Sequence, residues 1–147
     1  MASWSILPTT ADVGFFAEGE DIEELFKMSS LALQSIRYGI SPKTSIPWKE
    51  GEKISFSISR SDREDRTLVS WLEEVNWLSE SGCSMFRILD VSISDDFISS
   101  EAIKFQMEEI DPVIEIKAVT LHELEIGALE SENGSKSGFY AKVILDV

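Results

Sequence analysis

The chain has 147 residues, and its 27 acidic and 13 basic side chains give a formal net charge of −14 at pH 7. This length suits one domain with a hydrophobic core, and the 43% hydrophobic content excludes a wholly disordered chain. The excess of acid excludes a protein that binds nucleic-acid phosphates by charge alone. It suits cation binding or docking on a basic partner protein.

The first third of the chain predicts two strands followed by a helix, and a third strand comes after a loop. Extended runs over residues 4–7 and 13–18 alternate apolar and other side chains, which is the period of a strand. Asp21, followed three residues later by a glutamate, has the pattern of a capping box and predicts a helix that ends at Gly39. Apolar residues then alternate with serines over 54–59, which predicts a strand with one wet face.

The rest of the chain predicts a second helix and a series of strands. Ser61 and Glu64 form a second capping-box pattern, an apolar stripe runs over 68–78, and Gly82 follows as the end signal. Asn133-Gly134 predicts a hairpin turn. Further strands are predicted over residues 85–93, 103–107, 121–126 and 139–147.

Two helices cannot cover both faces of a large sheet, so we expect an α+β fold with mixed or antiparallel sheets, in a single domain over 1–147. Cys83 is the only cysteine, which excludes a disulfide framework and a cysteine-based zinc site, and we expect it to be buried. The chain shows neither a secretory signal nor an apolar segment long enough to span a membrane. We therefore expect a soluble, cytoplasmic protein.

Several motifs of self-sufficient enzymes are absent from the sequence. There is no G-x-x-x-x-G-K-S/T loop, no G-x-G-x-x-G turn, no H-E-x-x-H pair and no G-x-S-x-G elbow. The single histidine severely limits triad chemistry. These absences argue against an enzyme.

Five short segments have little meaning singly but occur in a distinctive order. They are T-A-D-V-G at 10–14, E-E-L-F at 23–26, W-L-E-E at 71–74, I-K-A-V-T-x-H at 116–122 and V-I-L-D-V at 143–147. Together they resemble the archease family over nearly the whole chain. The resemblance implies two strand–helix–strand–strand modules, one inserted in the other.

The resemblance also implies a function. Archeases are accessory proteins of the RtcB-type RNA-splicing ligase, which joins RNA ends carrying a 3′-phosphate and a 5′-hydroxyl, as in tRNA splicing. They help the ligase to transfer a guanylate onto its own catalytic histidine and so to turn over repeatedly. By this resemblance the chain is an activator and not an enzyme, and it meets RNA only through the ligase.

Carried over residue by residue, the family's metal site implies Asp12, Asp146 and Val147 as ligands. Carboxylates, with a terminal carboxylate or main-chain oxygen from Val147, are hard donors that suit Ca²⁺, Mg²⁺ or Mn²⁺. Thr9 occupies the position where the family usually has a histidine. By themselves, single aspartates are more often turn or surface residues.

Lys117 and His122 fall in the fourth segment and are candidates to face a nucleotide or the partner. If this stretch is extended, the two side chains point to opposite faces, because their separation is odd. A structural histidine and a solvated surface lysine are the alternatives. Two other functions stay open for the whole chain: a small metal-dependent phosphoester hydrolase, or a plain acidic protein–protein adaptor.

Overall fold

The computed structural model describes residues 2–8, 12–46, 48–81, 83–107, 110–131, 133–134 and 136–147, and for Lys136 only the backbone. Thr9 and Gly82, which the sequence singled out, lie outside the described residues. In chain order the elements are β1 (Ser3–Leu7), β2 (Val13–Gly19), α1 (Ile22–Arg37), β3 (Glu52–Ser59), α2 (Glu64–Glu80), β4 (Ser84–Ile93), β5 (Phe97–Gln106), β6 (Ala118–Val119), β7 (Glu125–Glu130) and β8 (Lys136–Asp146).

The strands form two antiparallel sheets. The larger sheet has the order β1-β2-β8-β6, and β7 pairs with β8 beside β6. The smaller sheet has the order β3-β5-β4. Strand β8 is thus central, with β2 along one edge and with β6 and β7 in succession along the other.

The chain order confirms an α+β fold of two interlocked modules. The continuous series β3–α2–β4–β5 is one strand–helix–strand–strand module, and its three strands make the whole smaller sheet. The same order, β2–α1–β7–β8, surrounds it in the chain and supplies the centre of the larger sheet. The module β3–α2–β4–β5 is therefore inserted in the chain between helix α1 and strand β7 of the other module.

One hydrophobic cluster joins both helices to both sheets. Trp71 of α2 is fully buried at its centre, with ring centroids 5.9 Å from Phe26 and 5.0 Å from Phe56. Phe15 of β2 and Leu145 of β8 reach the same cluster and are also 0% exposed. Full burial of each such side chain contributes about 1.5–3 kcal/mol, so this cluster binds the two modules together.

The predicted boundaries of α1 are confirmed. The Asp21 carboxylate accepts a hydrogen bond from the Glu24 N–H at 2.7 Å, and the Glu24 carboxylate accepts one from the Glu20 N–H at 2.8 Å. Gly39 follows the helix with a φ of +66°, a conformation that glycine adopts without strain. The hairpin prediction is confirmed as well, since Gly134 lies between β7 and β8 with a φ of +81°.

The predicted start of α2 was wrong. The N-cap residue is Arg63, which makes no side-chain capping bond, and Ser61 lies before it. The Ser61 N–H donates to the Thr67 hydroxyl at 3.0 Å, where a capping box would have used Glu64. Thr67, one turn into the helix, thus ties the preceding loop to α2.

Two further expectations, the start of one strand and the burial of Cys83, were wrong. In both cases the residues belong to a connection between elements. The strand expected over 121–126 begins at Glu125, and residues 121–124 form a turn in which Glu123 has a φ of +50°. Cys83 is exposed with a φ of +50°, because it lies in the short reversal between α2 and β4. Of the helices that the structure describes, neither is long and apolar enough to cross a membrane.

Candidate metal site at the end of strand β8

Strand β8 ends between β2 and β6, and the two predicted aspartates lie at this end. Val13 pairs with Leu145, and Ala118 pairs with Asp146. Asp12 directly precedes β2, and Asp146 is the last residue of β8. The two aspartates therefore lie at the same end of the β2–β8 pair, although they come from opposite ends of the chain.

The alternation of β8 decides which face carries Asp146. Val143 and Leu145 point into the core and are 0% exposed. Asp146 follows Leu145 and belongs to the opposite face, and both Asp146 and Asp12 are exposed. The apolar face anchors the strand, and the carboxylate pair is left open to solvent.

Within the described ranges, no hydrogen bond or ion pair reaches the side chain of Asp12 or Asp146. Two carboxylates that ligate one ion would repel each other without it, and a bound cation would offset that repulsion. The donor chemistry fits a hard divalent ion.

The number of side-chain ligands limits the type of metal. Over the part of the chain that the structure describes, no group of three or more His, Cys, Asp or Glu side chains could hold an ion. Val147, which follows Asp146, offers a main-chain oxygen as a further donor. Oxygen donors completed by water suit Ca²⁺, Mg²⁺ or Mn²⁺, whereas structural zinc sites use four nitrogen and sulfur ligands.

The backbone of Lys117 lies at this site. Its N–H donates to the Asp146 carbonyl at 2.8 Å, next to the Ala118 pair. Thr120 continues the attachment, since its N–H and its hydroxyl both donate to the Ile144 carbonyl, at 3.0 and 2.9 Å. Among the described residues the Lys117 ammonium has no carboxylate within 4.0 Å, so it does not neutralise the pair.

His122 lies away from the carboxylates. Its side chain is 70% exposed, and its Nε2 is 3.6 Å from a Glu123 carboxylate oxygen. The other oxygen of Glu123 is 3.6 Å from the Lys142 ammonium. Lys142 precedes Asp146 by four residues, roughly 13 Å along the strand. The argument from odd separation does not apply to His122, because His122 itself lies in a turn and not in an extended segment.

Two polar residues of α2 that the sequence analysis did not single out hold the segment beside the site. The Glu73 carboxylate accepts a hydrogen bond from the Val119 N–H at 3.1 Å. The Asn76 side chain donates to the Ile116 carbonyl at 2.9 Å and is only 4% exposed. Both positions adjoin the buried stripe of α2 at a spacing of three residues, which places them on one helix face. The spacing of three residues beside the apolar stripe was the sequence signal that could have indicated these two side chains.

These features define a small α+β protein of two interlocked modules with a carboxylate pair at the open end of its central strand. The model of the Archease protein family matches residues 4–147, so the chain belongs to the archease family.

Curated relatives agree with this family. The protein archease of Methanothermobacter thermautotrophicus is 32% identical over 155 residues and is covered completely, as is this chain. The protein archease of Methanosarcina mazei is 29% identical, over 98% of this chain and 95% of the relative. The solution structure of protein 1598 from Methanobacterium thermoautotrophicum superposes with a TM-score of 0.72 at 28% identity, over 99% of each chain.

Proposed function

We propose that this protein is a non-catalytic, metal-binding activator of the RtcB-type RNA-splicing ligase. Family membership supports the choice of partner. The observation that carries the proposal is that Asp12 and Asp146 are both exposed at the same end of the β2–β8 pair, without an ion-pair partner among the described residues. Such a pair suits a divalent ion that is shared with, or presented to, a partner.

The metal would be held by Asp12, Asp146 and the main-chain oxygen of Val147, with water or a ligand from the partner completing its shell. Bound there, Ca²⁺, Mg²⁺ or Mn²⁺ would supply positive charge beside phosphate oxygens. Glu73 and Asn76 position the site by holding the 116–119 segment against α2.

The charge of the chain indicates how it would meet RNA chemistry. With a net charge of −14, it docks on a basic nucleotide-binding mouth of the ligase, where complementary charge speeds encounter. RNA is reached only through the ligase. Lys117 is exposed beside the carboxylates, and its ammonium would face a nucleotide phosphate or an acidic residue of the ligase. His122 belongs to the neighbouring turn and would contact the partner at the rim.

The direct test is multiple-turnover ligation with the ligase of the same organism. RNA ends carrying 3′-phosphate and 5′-hydroxyl groups are supplied in excess, and this protein is added at a small fraction of the ligase concentration. We expect the number of turnovers per ligase to rise. Asp12→Ala should abolish the increase, while Asp95→Asn, an exposed substitution in the turn between β4 and β5, should leave it intact.

A second arm separates activation from independent catalysis. The protein alone is incubated with generic phosphate esters and Mn²⁺, and no turnover is expected. Unchanged ligation across a concentration series would contradict the proposal. Metal-dependent hydrolysis by the protein alone that disappears in Asp12→Ala would replace it with a phosphoesterase function.

A further inference from the structure

A groove beside the smaller sheet lies between helix α1 and the outer edge of strand β4. Its cavity measures about 180 Å³ and is lined by Lys27, Met28 and Leu31 of α1, by Trp48 and by residues 86–88 of β4. The floor is apolar and the rim is basic. This site is separate from the carboxylate pair, which lies in the larger sheet.

The backbone groups on the outer edge of β4 are hydrogen-bonded up to the groove, but no described side chain pairs with them within it. Among the described strands, β4 pairs with β5 alone, and its other edge faces α1. The Gln34 amide occupies this edge at Phe86, accepting from the N–H at 2.6 Å and donating to the carbonyl at 3.2 Å. The Ser84 carbonyl accepts from the Ser79 hydroxyl at 2.7 Å. By the two-residue period of a strand, Ile88 also turns its backbone to this edge, and no described side chain pairs with it.

The open edge is short. A β-bulge interrupts the pairing of β4 with β5 between Ile88 and Asp90. Beyond it the Asp90 carboxylate accepts from the Glu101 N–H at 3.1 Å, so it is directed towards β5 and away from the groove. The edge beside the cavity therefore has room for a short extended segment and not for a long strand.

The charge at the groove is opposite to that of the whole chain. Lys27 and Arg87 are exposed, and neither has a carboxylate within 4.0 Å among the described residues. The Arg87 guanidinium lies over the Trp48 ring, 5.8 Å from its centroid. Two cations without ion-pair partners beside an apolar cavity attract an anionic ligand that also has an apolar part.

We propose that this groove binds an extended acidic peptide segment of a partner protein. The segment adds to the β4 edge at Ile88, which continues the pattern that Gln34 begins at Phe86. One apolar side chain of the segment enters the cavity, and acidic side chains beside it face Lys27 and Arg87. This proposal is independent of ligase activation.

Peptide suits the groove better than single-stranded nucleic acid. Bases stack on open aromatic faces along a basic track. Here Arg87 already covers one face of Trp48, and the cavity floor is apolar. A strand edge, an apolar cavity and two cations are together the features that an acidic peptide uses.

The test begins with selection of binders from a displayed library of random 12-residue peptides. Counter-selection uses the Arg87→Glu variant. Synthetic copies of the enriched peptides are then titrated into the wild type and into the variants Lys27→Glu and Arg87→Glu. The matched control is Arg66→Glu, which makes the same charge change at an exposed residue of α2. Circular dichroism verifies that each variant is folded. Amide spectra of the wild type report on Ile88.

We expect enriched peptides to combine acidic residues with an apolar residue. Arg87→Glu should weaken binding at least tenfold, about 1.4 kcal/mol, while Arg66→Glu should change it less than twofold. The Ile88 amide signal should shift, and N-methylation of alternate peptide amides should abolish binding in only one of the two registers.

The proposal is overturned if nothing is enriched, if the enriched peptides are basic, or if Arg87→Glu binds them as well as the wild type does. A labelled 12-nucleotide polyuridylate serves as the competing ligand. Tighter, Arg87-dependent binding of this RNA would assign the groove to nucleic acid instead.

Discussion

The indole N–H of Trp71 on α2 donates a hydrogen bond to the Ser30 hydroxyl on α1 at 2.7 Å. That hydroxyl donates in turn to the Phe26 carbonyl at 2.8 Å. The two helices are thus joined by a buried polar contact at the centre of the apolar core. Trp71 and Ser30 are both 0% exposed, so neither group could exchange its partner for water.

Replacing Ser30 with alanine should destabilise the protein, because the Trp71 N–H would stay buried without an acceptor. The expected loss is about 1–3 kcal/mol of unfolding free energy, measured by urea denaturation. Ser29 gives the matched control: it is equally buried, but its hydroxyl has no hydrogen-bond partner among the described residues. Ser29→Ala should be neutral or stabilising, and equal losses for the two variants would show that the Trp71 contact is not the cause.

Gln34→Leu should destabilise the attachment of α1 to β4. The substitution removes both partners of the buried Phe86 backbone groups, and each unpaired group costs about 1–3 kcal/mol. We expect a total loss of about 2–4 kcal/mol in urea denaturation. Gln106→Leu, an exposed change of the same type, should shift stability by no more than about 0.5 kcal/mol. A loss no larger for Gln34 than for Gln106 would contradict the role of this amide.

Asp12→Ala should remove metal binding while leaving the fold intact. The exposed carboxylate makes no contact that stabilises the described fold, and its removal relieves repulsion with Asp146. Stability should therefore change by less than about 1 kcal/mol, or rise. Calorimetric titration with Ca²⁺, Mg²⁺ and Mn²⁺ should show at least tenfold weaker binding, about 1.4 kcal/mol. Asp146→Asn should act alike, Asp95→Asn should not, and wild-type affinity in folded Asp12→Ala would exclude this aspartate as a ligand.

Lys117→Ala should impair ligase stimulation more than it impairs metal affinity. An ammonium cannot coordinate a cation, and the Lys117 side chain makes no ion pair with Asp12 or Asp146. Its backbone N–H bond to the Asp146 carbonyl survives the substitution, so the site keeps its shape. Stimulated turnover and calorimetric metal affinity should be compared in one preparation. If Lys117→Ala lost metal binding but stimulated the ligase normally, Lys117 would have to be assigned to the metal site and not to the partner.

The two tyrosines predict a loss of stability in alkali. The hydrogen bond that the Tyr140 hydroxyl donates to Glu125, at 2.6 Å, raises the pKa of Tyr140, and burial raises the pKa of Tyr38. The unfolded chain loses both protons near pH 10, before the folded chain does. Folded protein then binds more protons, so the unfolding free energy falls as pH rises from about 10 through the folded-state pKa values.

Tyrosinate absorbance measures this directly, because the chain has only two tyrosines. The native titration should lie at higher pH than the titration in concentrated urea. In the Tyr38→Phe background, Glu125→Gln should lower the remaining midpoint, since the raised pKa of Tyr140 comes first from its bond to Glu125. Coincident native and unfolded curves would contradict both shifts.

Local patterns predicted the elements whose signals are complete within a few residues. The Asp21 cap, the apolar stripe around Trp71 and the Gly134 turn depend on contacts between near neighbours, and all three are confirmed. Ser61 has the same local pattern as Asp21 but is not a cap. The Ser61 N–H donates instead to the Thr67 hydroxyl, six residues further along the chain, and a short sequence pattern does not include that alternative acceptor.

The sequence by itself determined the strand and helix order, the α+β class and, through five segments in one order, the archease family. Strand and helix periods record which face is buried, and that information is local. Tertiary structure decided what lies together. Only the pairing of β2 with β8 brings Asp12 and Asp146, from opposite ends of the chain, to the same end of one sheet, while His122 lies in a separate turn. The free edge of β4 likewise follows from strand order, because pairing is chosen by long-range packing that no local period encodes.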